Sequence, residues 1–173
     1  MKKKIYLLPL LALICVFSIG CAKKTSQEPF NQYGVSFTYP SGWELDEAEE
    51  LGAGRYYICV EKSGFNSSGI LTIVVIEEEM DLTECLADFQ EGIASQPVFS
   101  QMKMGNAVEG KYGQYTGICA QYTANVASMP HEGHMYVFST NGKTIYINEQ
   151  EAVEDKSKNA AGFESLRESL RVE

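Results

Sequence analysis

The sequence predicts an α+β fold built on an antiparallel β-sheet. Three observations predict it. Segments with an apolar residue at every second position recur along the chain, Val35–Tyr39 and Ile118–Val126 being the clearest. Asn141-Gly142 lies between two apolar runs and is the pair that a two-residue hairpin turn requires, since both positions need positive φ. One helix is strongly patterned: Leu82, Cys85, Leu86, Phe89 and Ile93 stand at i, i+3, i+4, i+7 and i+11.

Taken in order, Val35, Phe37 and Tyr39 alternate with Ser36 and Thr38 as a half-buried strand. Tyr39-Pro40-Ser41-Gly42 fits a type I turn, with Pro second and Gly fourth. Trp43 and Leu45 open a short second strand, and the acidic Asp46–Glu50 reads as a solvated loop. Arg55–Glu61 and Ile70–Ile76 are strands by their β-branched and aromatic content, and the turn formers of Lys62–Gly69 join them as a hairpin. Ile70–Ile76 is apolar on both faces, as expected of a central strand covered on both sides. Asp81 caps the patterned helix with Glu84 as the return partner of a capping box, and Pro97 lies beyond its end. An antiparallel meander follows: Ile118–Val126, a turn at Pro130–Gly133, Met135–Thr140, the Asn141-Gly142 turn and Thr144–Asn148. A last helix, about Lys158–Leu170, sets Phe163, Leu166 and Leu170 on one side.

The N-terminus is patterned differently. Lys2, Lys3 and Lys4 precede an almost wholly apolar Ile5–Ile19, which is shorter than the ~20 residues of a spanning helix. Residues 1–20 therefore read as a signal peptide. The segment ends in Ser18-Ile19-Gly20-Cys21, which resembles the lipobox of bacterial lipoproteins, although Ser18 stands where Leu or Val is usual. That resemblance implies a lipid on the Cys21 thiol and cleavage before it. The polar, aperiodic stretch 21–32 then serves as lipidated N-terminus and tether, and 33–173 is one domain.

The formal charge is −9, with 14 basic and 23 acidic residues. Three of the basic residues and none of the acidic ones lie in the signal segment, so the processed chain sets 11 against 23, a formal −12. Such a surface repels nucleic acid and anionic headgroups, which leaves membrane attachment to the acyl chains. Three cysteines follow Cys21, at 59, 85 and 119. None forms a CxxC pair. Cys59 and Cys119 can bridge only if their strands are neighbours, and the spacing favours three buried free thiols.

Tyr33-Gly34-Val35-Ser36-Phe37-Thr38-Tyr39-Pro40-Ser41-Gly42-Trp43 resembles the opening of PsbP-like domains, an aromatic strand followed by Tyr-Pro-x-Gly-Trp. The order of elements agrees over nearly all of Tyr33–Glu173, down to a Leu-x-x-Ser-Leu end at Leu166–Leu170. The resemblance implies an antiparallel sheet flanked by helices on both faces, an α/β/α sandwich. It implies no shared catalytic centre, no cofactor and no photosynthetic role.

Motifs that could carry chemistry fail on context. Gly105–Tyr112 has GxxxxGK spacing, but Tyr112 replaces the Mg²⁺-binding Ser or Thr and strand-forming residues follow where a helix should start. His131-Glu132-Gly133-His134 holds both histidines of the chain. It is not HExxH, and Pro130 and Gly133 argue for an exposed turn rather than a zinc-binding helix. A metal site there would need ligands from elsewhere. Glu77-Glu78-Glu79 lacks a calcium-loop pattern. No GxSxG is present, and Cys119 lies between Ile118 and Ala120 as a packed residue would. Ten tyrosines fit either a recognition surface or a strand-rich interior.

The expectation is a lipid-anchored, extracytoplasmic, non-catalytic binding or assembly module of the bacterial cell envelope. Its partners would be the membrane, through the lipid, and an envelope protein, with no nucleic acid. The alternatives are a metal-binding protein using His131 and His134, and an envelope enzyme.

Overall fold

In a computed structural model, residues 28–64 and 67–173 are described. The signal segment, Cys21 and the tether up to residue 27 lie outside the described residues. The fold is α+β, with two antiparallel sheets and two α-helices among the described residues.

Strands β1 (Phe30–Gln32) and β2 (Val35–Phe37) form a small hairpin, joined by β11 (Arg171–Val172) from the far end of the chain. Phe30–Gln32 was expected in the tether; instead Phe30 stacks on Phe37 with ring centroids 4.8 Å apart and is buried. The large sheet runs β3 (Trp43–Gly52), β4 (Arg55–Lys62), β5 (Ile70–Ile76), β10 (Lys143–Ala152), β9 (Met129–Thr140), β8 (Tyr115–Val126). Beyond β8, β6 (Phe99–Met104) and β7 (Val108–Tyr112) pair with its two halves in succession. Helix α1 (Leu82–Ala94) links β5 to β6, and α2 (Lys156–Ser169) follows β10 after a single 3₁₀ turn at Val153–Asp155.

β5 is an interior strand, and its residues divide by alternation. Leu71, Ile73 and Val75 join Ile58, Val60, Ile145, Ile147 and Phe138 in a core closed by Phe163, Leu166 and Leu170 of the α2 region. Val74 and Ile76 join Tyr146, Met135, Val137, Ala120 and Tyr122 in a second core with Cys85 and Leu86 of α1. Among the described residues both cores are built from Phe30 to Val172, all within the segment 28–173.

Asp81 caps α1 as the sequence reads, its side chain accepting from the amides of Thr83 and Glu84 at 2.9 and 3.0 Å, while the return bond from the Glu84 side chain is not formed among the described residues. At Asn141-Gly142 both φ values are positive, 54° and 75°. Asp46–Glu50 is not a loop. It continues β3, the sheet edge, through two register shifts against β4. Carboxylates and bulges on an edge strand discourage pairing with another chain, so an acidic strand is stable here although each residue alone favours a loop. The second correction concerns 130–133. The β8–β9 turn is at Ala127-Ser128, with φ of 49° and 72°, and Pro130–Gly133 lies within β9. Neither Ala nor Ser signals positive φ, so the Pro and Gly nearby drew the turn to themselves.

Candidate functional site

The two histidines are splayed. On β9, His131 shares alternation with Met135 and Val137 of the α1-side core, whereas His134 shares it with Tyr136 and Phe138 of the other. His131 is buried, and its Nδ1 is 3.0 Å from the Met129 carbonyl oxygen. The expected solvated turn is thus a strand with its imidazoles on opposite sides, which removes the geometric basis for a joint metal site. Among the described residues no group of three or more His, Cys, Asp or Glu is placed to hold a metal ion. Cys59 and Cys119 are free and sit on β4 and β8, four strand spacings or roughly 19 Å apart. Burial pushes the Cys59 and Cys85 thiols up to about 11, so both stay protonated near neutral pH. Gly105–Tyr112 is mostly strand β7, with Tyr112 buried, and Glu77–Glu79 is exposed. All nine described tyrosines are buried or half-buried, which favours the interior reading over a tyrosine-studded surface.

Two concavities lie on opposite sides of the large sheet. The first is an apolar groove of about 560 Å³ beside α1. The helix has 13 residues and the sheet eight strands, so α1 leaves part of the sheet uncovered. The floor is Tyr57 and Cys59 of β4, Ile70, Thr72 and Val74 of β5, and Tyr146, Asn148 and Gln150 of β10. Phe89 and Ile93 of α1 form one wall, and Val98, Phe99 and Val126 the other. Phe89 stacks on Tyr146 with centroids 3.7 Å apart. A few polar atoms lie among this apolar surface. The Tyr122 hydroxyl donates to Gln150 Oε1 at 3.0 Å. Burial pushes that hydroxyl up to about 12, while the neighbouring Asn148 side chain works the other way. The Oδ1 of Asn148 is buried with no partner among the described residues, as is the Tyr146 hydroxyl.

The second concavity is a polar cleft of about 470 Å³ between α2 and the sheet. Arg167 of α2 donates from Nη2 to Glu149 Oε2 at 2.7 Å and from Nη1 to Glu164 Oε2 at 2.8 Å, and its guanidinium lies 5.6 Å from the Tyr112 ring centre. Lys156 pairs with Glu132 at 2.5 Å. Burial raises the Glu149 carboxyl against the lowering pull of Arg167. Burial also raises Glu151, opposed by the nearby Asn159 side chain and by Lys156 and helped by Glu132. His134 is held below its ordinary value by burial, with Glu132 opposing. Convergent perturbed groups are a mark of functional sites, but structural ion-pair networks produce the same pattern.

Glu151 separates these two meanings. It is 8% exposed, and among the described residues it forms no ion pair, Lys156 acting on it only from a longer range. A carboxyl raised on folding holds its proton more tightly in the folded state. Its contribution to stability therefore falls as pH rises from the unfolded value, about 4.3, through the folded one. Glu151→Gln removes that penalty. The variant should match the parent near pH 4 and show a higher urea midpoint at pH 7. A lower midpoint at pH 7 would make the charge a structural necessity.

The sequence reading missed these residues because it ended the last strand at Asn148. The strand runs on to Ala152, and the alternation of Asn148 and Gln150 with Glu149 and Glu151 was the available signal.

No family profile matches the chain, and no curated protein matches it in sequence. Solved structures do. The solution structure of cyanobacterial PsbP (CyanoP) from Synechocystis sp. PCC 6803 superposes with a TM-score of 0.59 at 17% identity, over 91% of this chain and 99% of that one. A crystal structure from Bacteroides thetaiotaomicron gives 0.54 at 14% identity, over 86% of this chain and 49% of that one. LpqN of Mycobacterium tuberculosis, involved in cell envelope biogenesis, gives 0.50 at 13% identity, over 83% and 88%. Among the described residues no helix is long and apolar enough to cross a membrane. The antiparallel α+β architecture and these superpositions together give the chain a PsbP-like fold.

Proposed function

We propose that the chain is a lipid-anchored, extracytoplasmic binding or assembly module of the cell envelope without catalytic activity. In this reading α1 and α2 cover the two faces of one sheet as a sandwich, and Cys21 carries the anchor. The observation that supports binding most directly is the groove beside α1. Its size suits a small molecule or a short apolar segment, and its lining is apolar with a few convergent polar atoms. The envelope role named for LpqN fits this reading, and a formal charge of −9 argues against nucleic acid as partner.

The enzyme reading draws on the polar cleft. Its Arg and Lys side chains are engaged in ion pairs within the cleft, and among the described residues no cysteine or serine lines it. A binding module explains the two concavities with fewer assumptions.

Two measurements test the proposal. For the anchor, radioactive palmitate should label the full chain in growing cells and leave Cys21→Ser unlabelled; equal label in both rejects Cys21 as the site. For binding, the neutral dye N-phenyl-1-naphthylamine should show saturable fluorescence enhancement with residues 28–173. Ile93→Trp, which fills the groove from its half-exposed wall, should abolish it. Absence of saturable enhancement in the parent would sink the binding reading.

A further inference from the structure

The structure assigns the groove beside α1 to a small apolar molecule that bears a hydrogen-bond donor and no negative charge, an alkyl- or arylamine or the corresponding alcohol. This deepens the binding reading above and rests on it.

Three observations define the class. Asn148 is 5% exposed and lines the groove, and its Oδ1 has no partner among the described residues. A buried acceptor without a partner is unfavourable, so an incoming N–H or O–H recovers what folding gave up. The walls are Phe89, Ile93 and Phe99 against a floor containing Tyr57 and Val74, which suits an alkyl or aromatic body. Charge then selects the head group. Among the described residues no Lys, Arg or His lines the groove, so no cationic side chain there pairs with a carboxylate, sulfonate or phosphate. By register the ionic groups beside the Asn148 end of the groove are acidic: Glu47 of β3 is the direct cross-strand partner of Cys59, which stands in the row of Asn148, and Glu61 follows Cys59 by two residues along β4, on the same side of the sheet. Arg55 stands at the other end, two residues before Tyr57 and beside Phe89 and Gly92. An anionic head group placed at Asn148 meets repulsion there. An ammonium meets attraction there, together with aromatic faces suited to a cation.

The test uses one skeleton with three head groups, 6-phenylhexylamine, 6-phenylhexanol and 6-phenylhexanoate, titrated into residues 28–173 at moderate salt and neutral pH, and followed by displacement of N-phenyl-1-naphthylamine. The amine and the alcohol should displace the dye at least tenfold more effectively than the carboxylate. Asn148→Leu, close in volume, should weaken both by about five- to tenfold. Glu47→Gln with Glu61→Gln, at exposed or half-buried positions, should remove the advantage of the amine over the alcohol and leave the alcohol unchanged; thermal melts report whether each variant stays folded. Dye binding with the carboxylate as best competitor overturns the assignment while the binding reading stands. Equal binding of the amine and the alcohol by parent and Asn148→Leu overturns the role of the buried acceptor. Failure of the dye and all three compounds to bind overturns both.

Discussion

Trp43→Ala is expected to remove much of the stability of the domain. Trp43 opens β3 immediately after the Pro40–Gly42 turn, and its amide donates to the Pro40 carbonyl at 3.0 Å. The indole is 4% exposed and meets Phe163 of α2 edge-on, with centroids 5.0 Å apart and ring planes at 67°. It thereby ties the first long strand to the last helix, across 120 residues of chain. Truncating a buried aromatic of this size costs about 3–5 kcal/mol, against total stabilities of about 5–15 kcal/mol. With a urea slope of about 2 kcal/mol per M, the midpoint for residues 28–173 should fall by about 2 M. An unchanged midpoint would place the indole outside the core.

The same contact gives the second large effect, with a sign opposite to that of local propensity. Gly162 lies within α2, where Gly→Ala on an open helix surface gains about 1 kcal/mol. Here a Cβ on residue 162 would stand 2.3 Å from Trp43 Nε1 and 2.5 Å from Cε2. The indole has little room to retreat: a Cβ on Gly69 would also come within 2.7 Å of Trp43 Cη2. The ring therefore sits in a slot that two glycines make possible. Overpacking of this kind costs about 1–3 kcal/mol and occasionally more. Gly162→Ala should accordingly destabilise the domain by about 1–2 kcal/mol net of its helix gain. In a Trp43→Ala background the clash is gone, and the same substitution should become neutral or stabilising by up to about 1 kcal/mol. Additive losses in the double variant would show that Gly162 acts on something other than the indole.

Several parts of the fold were legible in the residues themselves. The Asp81 cap, the α1 stripe, the Asn141-Gly142 turn and the double-sided Ile70–Ile76 strand each depend on neighbours within a few positions. For such elements the local pattern and the final environment agree. The Tyr-Pro-x-Gly-Trp opening also carried enough pattern to point to the architecture that the superpositions bear out at the level of the fold.

What the sequence by itself determined, then, was the kind of fold, the positions of most strands and both helices, and the acidity of the surface. Tertiary structure alone decided where distant segments meet. Asp46–Glu50 is a strand because β4 offers it a ladder, and β11 is one because β2 does. His131 and His134 are close in sequence but separated by the sheet, since a spacing of three along a strand turns side chains to opposite faces. Asn148 and Glu149 are adjacent, yet one serves the groove and the other the cleft. Groove and cleft each gather residues from elements tens of residues apart. No local period encodes such a meeting, because it follows from strand pairing and helix packing that are settled only when the whole chain has folded.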